Sequence, residues 1–158
     1  MFEKSTWIRL PRNVVVGHGV LSETVDAVAE LHLTGRPLVV TSPTPREVAG
    51  TRVIEGFAAD GAEPESTLVE EASFEAVQRV IQAAEDADAG FLVGVGGGKV
   101  IDITKMAADE LGLGFVSVPT AASHDGIVSG RGSVPDGNTR HSVAAEPPLA
   151  VVADTEIL

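Results

Sequence analysis

"GFLVGVGGGKVIDITKMAADELG", residues 90–112, decides the fold of this chain. Its first part, FLVGV, is continuous and apolar, as a strand covered on both faces requires. Gly96, Gly97 and Gly98 follow, and then a helical pattern that runs to about Leu111. Glycines in series cost conformational entropy, so the backbone here must need to be clear of Cβ atoms. One reading is a tight strand-to-helix turn with Lys99 solvated and Asp102 placed in the first turn. The other is a phosphate lying on bare N–H groups at the positive end of a helix. The P-loop pattern fails at Val93 and at Val100, where a hydroxyl residue should follow Lys99. The G-x-G-x-x-G pattern fits Gly94 and Gly96 but meets Lys99 at its third glycine.

Outward from this stretch, β-branched runs alternate with helical ones. Strands are predicted at 13–17, 37–42, 66–71, 90–96 and 113–120. Helices are predicted at 21–33, 44–61 and 73–87. The second helix carries Thr44 as cap, Pro45 at the first position, Glu47 completing a capping box and Gly61 as stop. The third places Phe74, Val77, Val80, Ile81 and Ala84 on one face. Such alternation implies an α/β fold: a Rossmann-like parallel sheet with helices on both faces. After Gly126 the pattern changes to a β-hairpin around "PDGN", spanning 127–145, and a final strand "LAVVAD". An apolar ending, Ile157-Leu158, reads as that of a fragment.

Composition narrows the class. Twenty-three acidic against 11 basic residues give a formal charge of −12, which repels nucleic acid. No apolar run approaches the ~20 residues of a membrane span. Neither cysteine nor a leader-like N-terminus is present, so the expectation is a soluble cytoplasmic protein. The acidic, lysine-poor surface fits solubility in concentrated salt and fits an ordinary acidic protein equally.

A second polar stretch, "SVPTAASHDGIVS" (117–129), follows the next strand, and parallel topology puts it at the same sheet edge as the glycines. Together, "GVGGGKVIDITK" and "VPTAASHDGIVS" resemble the archaeal glycerol-1-phosphate dehydrogenases. These are similar to the polyol dehydrogenase, iron-containing alcohol dehydrogenase and dehydroquinate synthase group. "LPRNVVVGHGVL" and "NTRHSVAAEPPLAVVADTEI" extend the resemblance over essentially the whole chain.

The resemblance implies interconversion of sn-glycerol 1-phosphate and dihydroxyacetone phosphate with NAD or NADP, in the making of ether-lipid backbones. It makes residues 1–158 the NAD(P)-binding domain, with the family's helical metal-binding domain absent. Gly97, Gly98, Lys99, Val100, Ile101 and Asp102 would hold the cofactor pyrophosphate. Thr120, Ala121, Ala122, Ser123 and Ser129 would continue that site, and Asp125 would meet the substrate hydroxyls. No catalytic residue is expected within the chain. A zinc ion belongs to the family, with its ligands expected beyond Leu158. Asp154 is read as a strand-end or cap residue, and His18, His32, His124 and His141 as non-ligands. His141 and Arg140 would lie near the cofactor. The full-length protein would be a homo-oligomer, and this piece alone would bind NAD(H) weakly without turnover.

Three alternatives stay open: a glycerol dehydrogenase or dehydroquinate synthase-like enzyme, a non-catalytic nucleotide-binding module, and a partner-binding α/β domain. Cofactor choice is open too. An acidic residue ending the second strand would select NAD, but Thr41, Ser42 and Pro43 stand there with Arg46 close behind, which leaves room for NADP.

Overall fold

The apolar run at the centre of the sequence is the centre of the sheet. In a computed structural model that describes residues 10–121 and 146–158, with the backbone of 131–136 and 139–144, β4 (Ala89–Gly96) is buried from Phe91 onward. Around it stand β1 (Asn13–Gly17), β2 (Arg36–Thr41), β3 (Glu65–Leu68), β5 (Phe115–Pro119) and β8 (Ala150–Asp154). All pair in parallel, in the order β1-β8-β5-β4-β2-β3. A separate antiparallel pair, β6 (Arg131–Asp136) with β7 (Thr139–Ala144), forms the hairpin. β6 lies against α5 (Gly98–Leu111).

Alternate strand residues point to opposite faces, and each face finds its own helices. Val39, Phe91, Val93, Val116 and Val152 meet α1 (Thr24–Glu30) and α3 (Thr51–Ala59). There Phe57 and Phe91 pack edge to face with ring centroids 6.0 Å apart. Leu38, Val40, Leu92 and Phe115 meet α4 (Phe74–Ala87) and α5. Each such side chain removed from water contributes about 1.5–3 kcal/mol, so the two apolar layers dominate the stability.

Several local expectations shift, each for a physical reason. The first helical run is a 3-10 turn (Leu21–Glu23) leading into α1, which stops at Glu30 rather than 33. His32 takes a left-handed conformation (φ 57°), and the His32 and Leu33 amides bond back to Ala29 and Val28. That closure ends a helix. The second run starts earlier than expected. Ser42 is extended and Pro43 opens α2 (Pro43–Pro45), so Thr44 is not the cap and Glu47 lies too far along for a capping box. The run then widens through a π turn (Arg46–Gly50) into α3. It ends as expected at Gly61 (φ 81°), with the Ala62 amide bonded to Phe57. In α4, Ser73 caps by accepting from the Ala76 amide at 3.1 Å. Phe74, at the first helical position, stays 38% exposed, and Ala76 joins the buried face in its place.

Candidate functional site

Strand β4 delivers its last residues to the carboxyl edge of the sheet, and neighbouring strands clasp it there. The Thr41 hydroxyl at the end of β2 donates to the Val95 carbonyl at 2.7 Å. The Thr120 amide, just past β5, donates to the Gly96 carbonyl at 2.9 Å. Both terminal acceptors of β4 are thereby spent. What remains turned to the mouth is a set of donors. The amides of residues 98–100 precede the first i→i−4 bond of α5, which runs from Ile101 N–H to Gly97 C=O at 3.1 Å. Donors without acceptors among the described residues, at the positive end of a 14-residue helix, suit an anion.

The glycines divide between two duties. A Cβ on Gly94 would lie 2.8 Å from Thr104 Oγ1, and one on Gly96 would lie 2.7 Å from Val100 Cβ. These two let α5 pack directly on the strand. Gly97 is different: a Cβ there would meet only Ala121 Cβ, at 3.9 Å. Its backbone (φ −84°, ψ −166°) is open to any residue. Nothing in the described chain requires glycine at 97.

The predicted contacts sort themselves accordingly. Gly97, Gly98, Lys99 and Val100 stand at the mouth with Thr120 and Ala121 beside them, so the two polar loops share one edge of the sheet. Ile101 and Asp102 lie one turn deeper. Ile101 spends its amide on Gly97, and both side chains are buried. Asp102 is therefore past the first turn. Lys99 reaches sideways, its Nζ donating to the Glu70 carbonyl after β3 at 3.0 Å. Ala122, Ser123, Asp125 and Ser129 lie outside the described residues, as does His124. For Arg140 and His141 the structure gives their place on β7 alone.

Burial also picks out a residue that the sequence pattern did not single out. Lys105 is fully buried within a turn of Asp102 on α5. Burial lowers its pKa to about 8, while the Asp102 charge pulls the other way. Lys105 was not separable by pattern from an exposed helical charge.

Asp154 ends β8 and accepts from the amides of Gly19, Leu21 and Glu156, each at 2.9 Å. Burial would raise its pKa, but the Glu156, Gly19 and Leu21 amides, with His18 nearby, outweigh that and hold it below the ordinary carboxylate value. It is a strand-end cap, as expected, and its oxygens are committed to the backbone. Among the described residues no group of three His, Asp or Glu side chains is placed to hold a metal. The described residues offer no such set for the zinc implied by the resemblance.

A cavity of about 590 Å³ opens at the opposite edge of the sheet, walled by Leu10, Phe115, Pro147 and Leu149 with Arg12 and Lys105. It faces the carboxyl end of α5 at Ala108, Asp109 and Gly112. The negative helix terminus there disfavours a diphosphate, so the glycine mouth is the better anion site. Among the described residues no helix is long and apolar enough to cross a membrane.

Comparison with known proteins follows the same lines. The chain is 77% identical over all 158 residues to the glycerol-1-phosphate dehydrogenase [NAD(P)+] of Haloarcula marismortui, covering 45% of that protein. It is 48% identical over 152 residues to the Methanosarcina acetivorans protein of the same name, covering 96% of this chain and 43% of that one. The chain thus spans about half the length of the curated relatives it matches. Among solved structures, glycerol dehydrogenase from Schizosaccharomyces pombe superposes with a TM-score of 0.88 at 19% identity, over 99% of this chain and 40% of its own. A probable glycerol dehydrogenase from Sinorhizobium meliloti gives 0.84 at 24%, over 96% and 41%. These two likenesses establish the shared fold. The family described as iron-containing alcohol dehydrogenase matches residues 15–158, nearly the whole chain, and the protein belongs to that family.

Proposed function

We propose that this chain is the cofactor-binding half of an NAD(P)-dependent oxidoreductase that interconverts sn-glycerol 1-phosphate and dihydroxyacetone phosphate. The observation that carries the reading is the mouth of α5. Three amides face outward there, both nearby strand carbonyls are occupied, and Gly97 is bare without a packing reason. The identity of 77% along the full chain to a protein named for this reaction supports the substrate.

When bound, the nicotinamide carries the hydride and the protein supplies position and electrostatics. In this reading the amides of Gly98, Lys99 and Val100 hold the diphosphate. Thr41 and Thr120 fix the loops that frame it. Ala122, Ser123 and Ser129 continue the cofactor contacts, and Asp125 orients the substrate through its hydroxyls. Self-association of the full-length protein rests on the resemblance alone.

The test is made on the full-length protein. It is expected to oxidise NADPH or NADH only when dihydroxyacetone phosphate is supplied, with sn-glycerol 1-phosphate as the product. Faster turnover of unphosphorylated glycerol would move the assignment to a glycerol dehydrogenase. Failure of both nicotinamides to bind would leave the anion site without its ligand and overturn the proposal.

A further inference from the structure

Gly17, His18 and Gly19 follow the edge strand β1 and lie outside the groups assigned to the cofactor. Their partner is at the far end of the chain. β8 pairs with β1 in parallel, and Gly17 opposite Asp154 is the last rung of that ladder. Beyond it the strands part: β1 runs into the loop before Leu21, and β8 into a turn at 155–157. We propose that Asp154 is a positioning residue of the full-length enzyme: its carboxylate locks this turn to the loop after β1, and so sets the direction in which the chain continues past Leu158 and the fit of the remaining half against the cofactor mouth. This deepens the functional reading above and rests on it. The chain spans about half the length of its curated relatives, and in that reading the remainder follows Leu158.

Asp154 holds both segments with all three of its oxygens. Oδ1 accepts from the amides of Gly19 and Glu156, and Oδ2 accepts from the amide of Leu21. Its main-chain carbonyl accepts from Ile157 at 3.0 Å and from Leu158 at 3.1 Å, while the Thr155 amide donates to the Gly17 carbonyl at 2.8 Å. Ile157 packs against the apolar layer shared with α1 and α3. Residues 155–158 are thus built into the sheet edge. Gly19 has φ 73°, the left-handed form that glycine adopts without cost, and there its amide meets the carboxylate.

Asp154 is only 1% exposed. A charge so buried is costly unless hydrogen bonds compensate it. Here the compensating charge-assisted bonds come from two segments, and they persist only while both stay in place. The carboxylate therefore resists any change in the angle between the loop and the turn.

The location gives that angle a consequence. All six strands are parallel, so the turn after β8 stands at the same sheet edge as the glycine mouth. β8 is two strands from β4, a separation of about 10 Å. A rotation of about 6° at the turn moves groups about 10 Å away by about 1 Å, and a misplacement of that size can cost about 100-fold in rate. Asp154 acts in this way through the backbone, with no contact to a reactant.

The experiment uses the full-length protein as wild type, Asp154→Asn and Val80→Ala. Val80 is buried on α4, and its truncation destabilises the fold without touching the turn or the mouth. NADPH dissociation constants, kcat with dihydroxyacetone phosphate and proteinase K cleavage at 155–158 are measured for each. Asp154→Asn is expected to lower kcat per NADPH site about 10- to 100-fold, with NADPH affinity within about twofold of wild type. Cleavage at 155–158 should quicken about tenfold, the worth of one lost charge-assisted bond. Val80→Ala should keep its kcat per site at a comparably lowered melting temperature. A kcat for Asp154→Asn within about twofold of wild type, or a loss no larger than that of Val80→Ala, overturns the proposal. So does a loss of NADPH affinity that matches the loss of kcat, or unaltered cleavage. Should Asp154→Asn fail to fold, Gly19→Ala is read in its place, because the added methyl has its nearest neighbour at 3.9 Å while the backbone is strained. Unchanged kcat in that variant overturns the proposal. A wild type that does not reduce dihydroxyacetone phosphate overturns the functional reading, and the cleavage comparison then decides by itself whether Asp154 anchors the turn.

Discussion

Alanine at Gly97 and alanine at Gly96 differ by one methyl each, placed one residue apart, and the structure assigns them opposite consequences. At Gly96 the new Cβ would lie 2.7 Å from Val100 Cβ and 2.8 Å from Val100 Cγ2. Both belong to a β-branched side chain buried to 1% exposure, which has nowhere to move. Overpacking of this kind costs about 1–3 kcal/mol. At Gly97 the new Cβ meets one methyl at 3.9 Å, in a backbone conformation that alanine adopts freely. Two small terms oppose each other there. Alanine restricts the unfolded chain, worth about 0.4–1 kcal/mol, and is a poorer N-cap than glycine by a similar amount. Net stability should change by less than about 0.5 kcal/mol.

Binding should behave in reverse. A methyl at 97 holds a diphosphate off the amides of residues 98–100. Losing one or two charge-assisted bonds of about 1.5–3 kcal/mol each removes roughly 2–4 kcal/mol. That is a loss of about 30- to 900-fold in nicotinamide affinity. Thermal melts and NADPH fluorescence titrations of both full-length variants make the comparison. Wild-type affinity in Gly97→Ala would refute the anion-cradle argument. A melt for Gly97→Ala as depressed as that of Gly96→Ala would show that the position is structural after all.

Asp154→Asn should lower stability by about 2 kcal/mol at neutral pH, because three amides lose a buried, ionised acceptor. The pH dependence has a definite sign. The folded carboxylate binds a proton less readily than the unfolded one, so its contribution is complete above the unfolded pKa of about 3.9 and is lost as pH falls through the lower folded value. Urea melts from pH 6 to about 3 should therefore converge for wild type and variant, and parallel curves would count against the assignment. His32→Gly should raise stability by about 0.5–1 kcal/mol, since it relieves a left-handed conformation at an exposed helix end; a lower melting temperature would show that the imidazole contributes there.

Much of this was legible because it is local. The period of two in the strands, the longer period in the helices, Gly61 as a stop and the glycine turn after β4 all reside in a few consecutive residues. The sequence by itself determined the element types and, through the alternation, a parallel sheet with its polar loops at one edge. Local signals misled where two caps competed. Pro43 and Pro45 both suit a first helical position, and only the clasp of Thr41 on Val95 fixes the chain so that Ser42 is the cap.

The remainder needed contacts between distant residues, which no window of sequence contains. β8, the last strand, inserts between β1 and β5, and only that order brings Asp154 to the amides of Gly19 and Leu21, 135 and 133 residues away. Lys105 is buried on a helix that packs on the sheet and has the hairpin strand β6 beside it. The division of labour among the glycines is likewise tertiary. Gly94, Gly96 and Gly97 look alike in the sequence, and only the distance between strand and helix decides which two make room for the protein and which one is left open.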